Sequence, residues 1–490
     1  MWITACPVHF GRADHKISLE GNTHMNTKIS PLQTLTIGLM LLAMFLGAGN
    51  IIFAPLVGQQ AGRSSVVPMA GFLLTGVGLV LLAIIVLARA GGRVEPLSDR
   101  VHPWFSRGFC ALMFLALGPL YVIPRTGSVV YEIAIKPHLD ISPDASRIIL
   151  LAFSTAFTAL TIYLSLDTGK LVNRLGKLIT PVFSVLLLLI IGKSFFTPMG
   201  TPQDPVEPYL SGAFLKGFTE GYFTMDALAA LVFGGVFIQS IRAVGVTKPS
   251  EITKVFIKAG IITVIGLSLL HISMAWIGAS SVEAIGYLDN GGAVLAESSR
   301  YLLGTTGVIA MGVIVFLTGV TTNIACLSSV SEYFGNTMPS ISYRVWVYIF
   351  GAAGLLFTNF GLEIVLETAI PLLMFLYPLA ITLILLVLCN RLFSGNQSVY
   401  VGAMIGAGFI AVFDAVKSAG FFVGQIDSAL GFIPMFLQGG GWIIPALIGA
   451  GVGYVVARLR KEQPRSYEPR PEAATPAPQT ASPAGQPAAN

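Results

Sequence analysis

Twelve stretches of this chain are apolar over about the length of a bilayer crossing, and they leave few folds open. A helix that spans the hydrocarbon core needs roughly 20 mostly apolar residues, and its backbone polar groups must be satisfied internally. Runs near that length occupy 35–61, 66–88, 108–135, 148–166, 178–196, 217–241, 255–278, 305–330, 343–359, 362–389, 399–416 and 439–457. Only 11% of the residues are charged and 54% are hydrophobic; a soluble domain carries roughly 25% charged residues. The expected fold class is an all-α integral membrane protein with about 12 transmembrane helices.

The net charge of +5 carries no nucleic-acid signal; its meaning lies in where the charges fall. With odd-numbered spans running outward, one set of loops holds Arg89, Arg93, Arg100, Arg107, Lys170, Arg174, Lys177, Arg242, Lys248, Lys254 and Lys258, and the tail adds Arg458, Arg460 and Lys461. The opposite loops hold fewer basic residues, chiefly Arg63, Lys136, Arg147, Lys216 and Arg300. Lys and Arg favour the cytoplasmic side, so both termini are expected inside.

Three regions are expected. Residues 1–30 are a polar extension, expected to be disordered, with His9, His15 and His24 too loosely spaced to mark a metal site; Met25 stands just ahead of an alternative start. Residues 31–461 form one membrane transport domain. Residues 462–490 are rich in Pro and Ala and are expected to be disordered. The four cysteines (Cys6, Cys110, Cys326 and Cys389) suggest neither a disulfide framework nor a zinc motif. The first apolar block is long enough to stay in the membrane, which argues against a cleavable signal.

Function in a transporter tends to surface where apolar spans are interrupted, because a broken helix frees backbone groups for ions and substrates. In the first span, Leu46-Gly47-Ala48-Gly49-Asn50 precedes Pro55. An unwound stretch at Gly47 to Asn50 would offer carbonyls to a cation and helix-start amides to a carboxylate; close helix packing through small residues is the competing explanation. In the sixth span, Gly221-Tyr222-Phe223-Thr224-Met225-Asp226 places a carboxylate well inside the apolar run. Such a group must face protein, water or a cation; a buried pair with Arg125 or Lys417 is the alternative. Interruptions in the first and sixth spans occupy corresponding positions of two halves. That pattern points to an inverted-repeat transporter with its site near the midplane.

The eighth span contributes Thr321-Thr322, with Ser328-Ser329 as a rival pair. Such hydroxyls can join freed carbonyls around a hard cation, or simply bond their own helix. Other intramembrane polar groups receive structural explanations. Arg125 is expected to reach the outer interface or pair with Glu132 or Asp226. Asp414 and Lys417 are spaced for an ion pair on one helix face, and His271 is expected to be a satisfied core residue. The segment 279–304 is expected to form a loop with a short amphipathic helix. No HExxH or GxSxG motif appears, so no enzyme is expected.

At these residues the chain resembles the bacterial branched-chain amino acid carriers of the BrnQ type. The resemblance runs from about Leu35 to Arg458 and rests on LGAGNIIFAPLVG (46–58), GPLYVIPRT (118–126), GYFTMD (221–226), NFGL (359–362), Tyr377-Pro378 and FDAVK (413–417). It implies a LeuT-like fold, with a 5+5 inverted repeat plus two helices, in the bacterial inner membrane. It also implies import of leucine, isoleucine and valine by cation symport, with Na⁺ as the coupling ion. No other cofactor and no obligate protein partner are expected. By the same resemblance, Gly47, Ala48, Gly49, Asn50, Phe223, Thr224 and Asp226 would bind substrate. Thr321 and Thr322 would hold Na⁺ with carbonyls near Ala43 and Leu46. An H⁺-coupled carrier of another small neutral amino acid, and a membrane sensor that binds without transporting, are the alternatives.

Overall fold

A computed structural model describes residues 30–139, 142–166, 184–243, 245–246 and 248–463. Every regular element among them is helical. Eight helices are long and apolar enough to cross a membrane: Val66–Arg89, Pro103–His138, Asp144–Ser165, Ala213–Ile238, Pro249–Ile285, Gly291–Thr337, Leu362–Leu388 and Gln397–Ser418. A ninth span is a broken pair, Pro31–Phe45 and Gly49–Ser64, bent by 71°. Three shorter apolar helices, Ser184–Phe196, Tyr343–Thr358 and Ile443–Leu459, fall on the remaining apolar runs. Each of the twelve runs thus has its helix, in order. Residues 1–29, with the histidines at 9, 15 and 24, residues 464–490 and the basic cluster at 170–177 lie outside the described residues.

The spans pack through small residues, as bilayer helices do when van der Waals contact drives association. The second half of the first span lies against the seventh so tightly that a Cβ on Gly58 would stand 1.9 Å from the Ala275 carbonyl oxygen, and one on Gly278 1.9 Å from that of Pro55. The last two spans meet the same way at Gly402 and Gly449, where a Cβ on either would stand 2.1 Å from the other's carbonyl oxygen. Leu151, Leu188, Leu269, Ile309, Leu385 and Val455 are exposed, as expected of side chains that face lipid tails.

Two expectations about loops and pairs change. The segment 279–304 is mostly helix: the seventh span continues to Ile285, and a helix from Gly291 enters the eighth span through a break at Gly304, where φ is 62°. Val294 and Leu295 on it are fully buried. Lys417 pairs with Asp427 at 2.5 Å, not with Asp414; the short helix Val423–Leu430 brings that carboxylate back over the end of the eleventh span.

Candidate functional site

The first span breaks because its local polar groups prefer each other to an unbroken helix. Leu46 and Gly47 leave the helical region, with Gly47 extended at φ −98°, ψ 173°. The Gly47 amide bonds the Phe45 carbonyl at 2.6 Å and the Asn50 amide bonds Gly47 at 3.1 Å. An unbroken helix would send those amides to Ala43 and Leu46, so both carbonyls lose their helical donors. Asn50 then caps the first half from outside, donating Nδ2–H to the Phe45 carbonyl at 2.5 Å. The break is therefore shorter than the expected Gly47 to Asn50: it is confined to Leu46 and Gly47. Ala48, Gly49 and Asn50 form the first turn of the second half, where leading amides have no acceptor within the helix and favour an anion.

The sixth span breaks in a complementary way. Its first half ends at Glu220, a tight turn runs from Gly221 to Thr224, and Met225 sits in the left-handed region at φ 68°. A buried non-glycine residue there is held against its preference by its surroundings. The second half begins at Asp226, where a carboxylate faces the positive end of the helix dipole.

The two breaks meet. Asn50 Nδ2 donates to Asp226 Oδ1 at 3.0 Å, and the Asp226 amide donates to Thr224 Oγ1 at 3.4 Å. Asn50 and Asp226 are 1% and 3% exposed, yet Asn50 Oδ1 and Asp226 Oδ2 have no hydrogen-bond partner among the described residues. Asp226 makes no direct ion pair: Lys417 is bound to Asp427, and Arg125 faces Asp226 across one cavity without touching it. Phe223 is half-buried and packs on Phe53, ring centroids 5.7 Å apart.

Arg125 corrects a further expectation. It does not reach the outer interface, nor does it pair with Glu132, which is bound to Lys136 at 2.8 Å. The third span is kinked at Gly118-Pro119, where Gly118 leaves the helical region and proline removes a backbone donor. Beyond the kink, Tyr121 and Arg125 turn inward. The guanidinium lies 4.6 Å over the Tyr121 ring, and Nη1 donates to Tyr121 Oη at 3.2 Å and to the Phe223 carbonyl freed by the sixth-span break. Reading the sequence for helix breaks alone missed this residue. The available signal was an arginine inside an apolar run, six residues after a Gly-Pro pair.

The eighth span separates its two threonines. Thr322 Oγ1 is buried without a partner among the described residues and lies beside the first-span break, 3.1 Å from where a Gly47 Cβ would stand. Thr321 Oγ1 donates to its own helix, at the Thr318 carbonyl, 2.9 Å away. A cavity of about 20 Å³ is lined by Gly47, Gly49, Asn50, Arg125, Asp226 and Thr322, among others. Thr321 and the Ser328-Ser329 pair are not on its wall. That volume suits about one water, so anything larger enters only if the spans move apart. His271, expected to be satisfied, is fully buried with neither nitrogen bonded among the described residues; its ring meets Phe72 edge-on at 5.1 Å.

The family described as "Branched-chain amino acid transport protein" matches residues 30–460. Among similar proteins, branched-chain amino acid permease BraB of Bacillus subtilis is 41% identical, over 86% of this chain and 95% of its own. Branched-chain amino acid transport system 2 carrier protein of Pseudomonas aeruginosa is 35% identical, over 88% and 98%. BrnQ of Escherichia coli K12 is 30% identical, over 86% and 95%. Among solved structures, the nucleobase-cation-symport-1 family transporter Mhp1, closed with bromovinylhydantoin bound, aligns with a TM-score of 0.56 at 16% identity, over 87% of this chain and 93% of its own. MhsT in complex with L-phenylalanine aligns at 0.51 and 18%, over 86% and 98%. At such identities the likeness speaks for the fold, the LeuT-like arrangement of two five-helix repeats plus two helices. The relatives are named as permeases and carriers, not as enzymes.

Proposed function

This chain belongs to the branched-chain amino acid transport protein family, and from that premise we propose that it imports leucine, isoleucine and valine by cation symport, with Na⁺ as the coupling ion, through alternating access. Its place is the bacterial cytoplasmic membrane, with both termini inside. The observation that carries the proposal is the meeting of the two broken spans at Asn50 and Asp226 around a cavity that Thr322 also lines.

Each part of the site has chemistry to contribute. The leading amides of Ala48 and Gly49 suit a carboxylate. The unsatisfied oxygens of Asp226 and Asn50 suit an ammonium, with Thr224 and Phe223 beside them. The Ala43 and Leu46 carbonyls, released by the break beside the cavity, and Thr322 Oγ1 are the oxygen donors that suit Na⁺; Thr321 is the weaker candidate because its hydroxyl is already bonded to its own helix. The aliphatic end of the substrate meets apolar groups, including Leu117, Val122 and Phe233. One methylene in such a pocket is worth about 1–3 kcal/mol, so leucine, isoleucine and valine are poorly separated.

Coupling requires that cation and amino acid together favour the occluded state. An inside-negative potential adds about 2.3 kcal/mol per charge per 100 mV to cation entry. The test is counterflow in sealed proteoliposomes preloaded with unlabelled leucine. The proposal expects uptake of labelled leucine that isoleucine and valine inhibit and that lysine and glutamate do not. Saturable binding without flux would instead identify a sensor.

A further inference from the structure

Arg125 is a cation buried in the protein that no carboxylate among the described residues touches, although Asp226 on the same cavity is near enough to feel its charge. It is 3% exposed, and no carboxylate among the described residues lies within ion-pair distance of it. Its two named acceptors are neutral: the Tyr121 hydroxyl and the Phe223 carbonyl. Nε has no hydrogen-bond partner among the described residues. A guanidinium offers five donors in a fixed fork, and an unpaired charge at bilayer depth is costly. The structure therefore keeps a demand for an anion at this point.

That demand opens onto the cavity. Arg125 lines it together with Gly49, Asn50 and Asp226. Its Nη2 lies over the first turn of the second half of the first span, so close that a Gly49 Cβ would stand 2.5 Å away. The guanidinium and the leading amides of that turn thus converge on one place. Across the same cavity, Asp226 Oδ2 and Asn50 Oδ1 lack donors. The guanidinium and the carboxylate face each other across this cavity without direct contact, so each keeps unfilled hydrogen-bonding capacity toward a ligand placed between them.

Building on the amino-acid reading above, we propose that Arg125 binds the substrate carboxylate and makes the site selective for zwitterionic α-amino acids over amines of the same shape. A carboxylate placed over the Ala48-Gly49 turn accepts from the guanidinium as well as from the backbone, while the ammonium faces Asp226 and Asn50. Tyr121 and the Phe223 carbonyl hold the fork in position before substrate arrives. The fork also ties the third span to the broken sixth, so filling it joins three spans at the moment of binding.

The test is calorimetric binding to the purified full chain in Na⁺ buffer, comparing leucine with leucinol, which keeps the ammonium and the side chain but replaces the carboxylate with a neutral CH₂OH. Wild type should prefer leucine by at least about 100-fold, below the roughly 10⁴–10⁵-fold by which a site built for a polar group rejects an analogue without it, because leucinol keeps a neutral hydroxyl. Arg125→Gln should lose most of that preference while its affinity for leucinol stays within about threefold, below the roughly tenfold or more that one lost charged bond would cost. Arg125→Lys keeps the charge but not the fork and should fall between the two. If either variant keeps the wild-type ratio, or loses leucine and leucinol binding in parallel, Arg125 is a structural tie to Phe223 and the assignment is wrong. If wild type binds no leucine, the amino-acid reading beneath it fails first, before any variant is compared.

Discussion

Asn50 donates its side-chain amide to Asp226 at 3.0 Å, and this bond joins the broken first span to the broken sixth. The residues are 176 positions apart in sequence, on corresponding helices of the two halves. The same amide caps the Phe45 carbonyl at 2.5 Å, so one side chain both ends a half-helix and reaches across the repeat.

Asn50→Ala is expected to lower leucine uptake strongly. It strips Asp226 of its side-chain donor and leaves the Phe45 carbonyl with the Gly47 amide as its remaining donor. A hydrogen bond to a charged group is worth about 1.5–3 kcal/mol, which corresponds to a loss of roughly 10–150-fold in kcat/KM for uptake. Uptake kinetics in proteoliposomes, with thermal unfolding in parallel, measure it. Uptake within twofold of wild type would mean that the two breaks do not depend on this bond.

Gly49→Ala is expected to abolish or sharply reduce transport. The new Cβ would stand 2.5 Å from Nη2 and 2.7 Å from Cζ of Arg125, so the guanidinium must leave the place where Tyr121 and the Phe223 carbonyl hold it. Gly108→Ala is the control: nothing lies within 4 Å of its Cβ position, and alanine at a compatible helical site stabilises by about 0.4–1 kcal/mol. Uptake by the two variants and their melting temperatures should separate in opposite directions.

The threonines of the eighth span should divide in effect. Thr322→Ala removes an unpartnered hydroxyl from the cavity wall; Thr321→Ala removes one already bonded to its own helix. The half-saturating Na⁺ concentration for leucine binding should rise about tenfold for the first, the equivalent of 1.4 kcal/mol, and by a few-fold at most for the second. The reverse order would move the cation site to the far face of the helix.

His271 offers a test in the opposite sense. Both ring nitrogens are buried and unbonded among the described residues, and leaving a polar group so costs about 1–3 kcal/mol. His271→Leu is therefore expected to melt at the wild-type temperature or higher and to keep its uptake. A folded variant that transports nothing would show that the imidazole takes part in transport.

The spans were legible from the sequence because bilayer length is a constraint on composition, and each apolar run has its helix. The two interrupted spans were legible because glycine, asparagine and aspartate are costly inside an apolar helix. What the chain does with the break was less readable. The unwound stretch at Leu46-Gly47 is set by Asn50 reaching back to Phe45, a choice between hydrogen-bond partners that local composition does not rank. Arg125 was legible as an anomaly but not as part of the site. Its direction depends on the kink at Gly118-Pro119 and on a carbonyl released by a break about a hundred residues away. The Lys417 partner was misread for a similar reason: the i to i+3 spacing offered Asp414, while a turn in the chain supplied Asp427.

The central claim is tested most directly by labelled-leucine accumulation in proteoliposomes holding the wild-type protein, under an inward Na⁺ gradient alone and an inward proton gradient alone, with K⁺ replacing Na⁺ in the control. The account predicts accumulation above equilibrium that requires the Na⁺ gradient and increases with an inside-negative potential. Accumulation driven by the proton gradient alone would remove Na⁺ from the account and leave the carrier. No accumulation under either gradient, from protein shown to be folded, would contradict cation-coupled import of leucine itself.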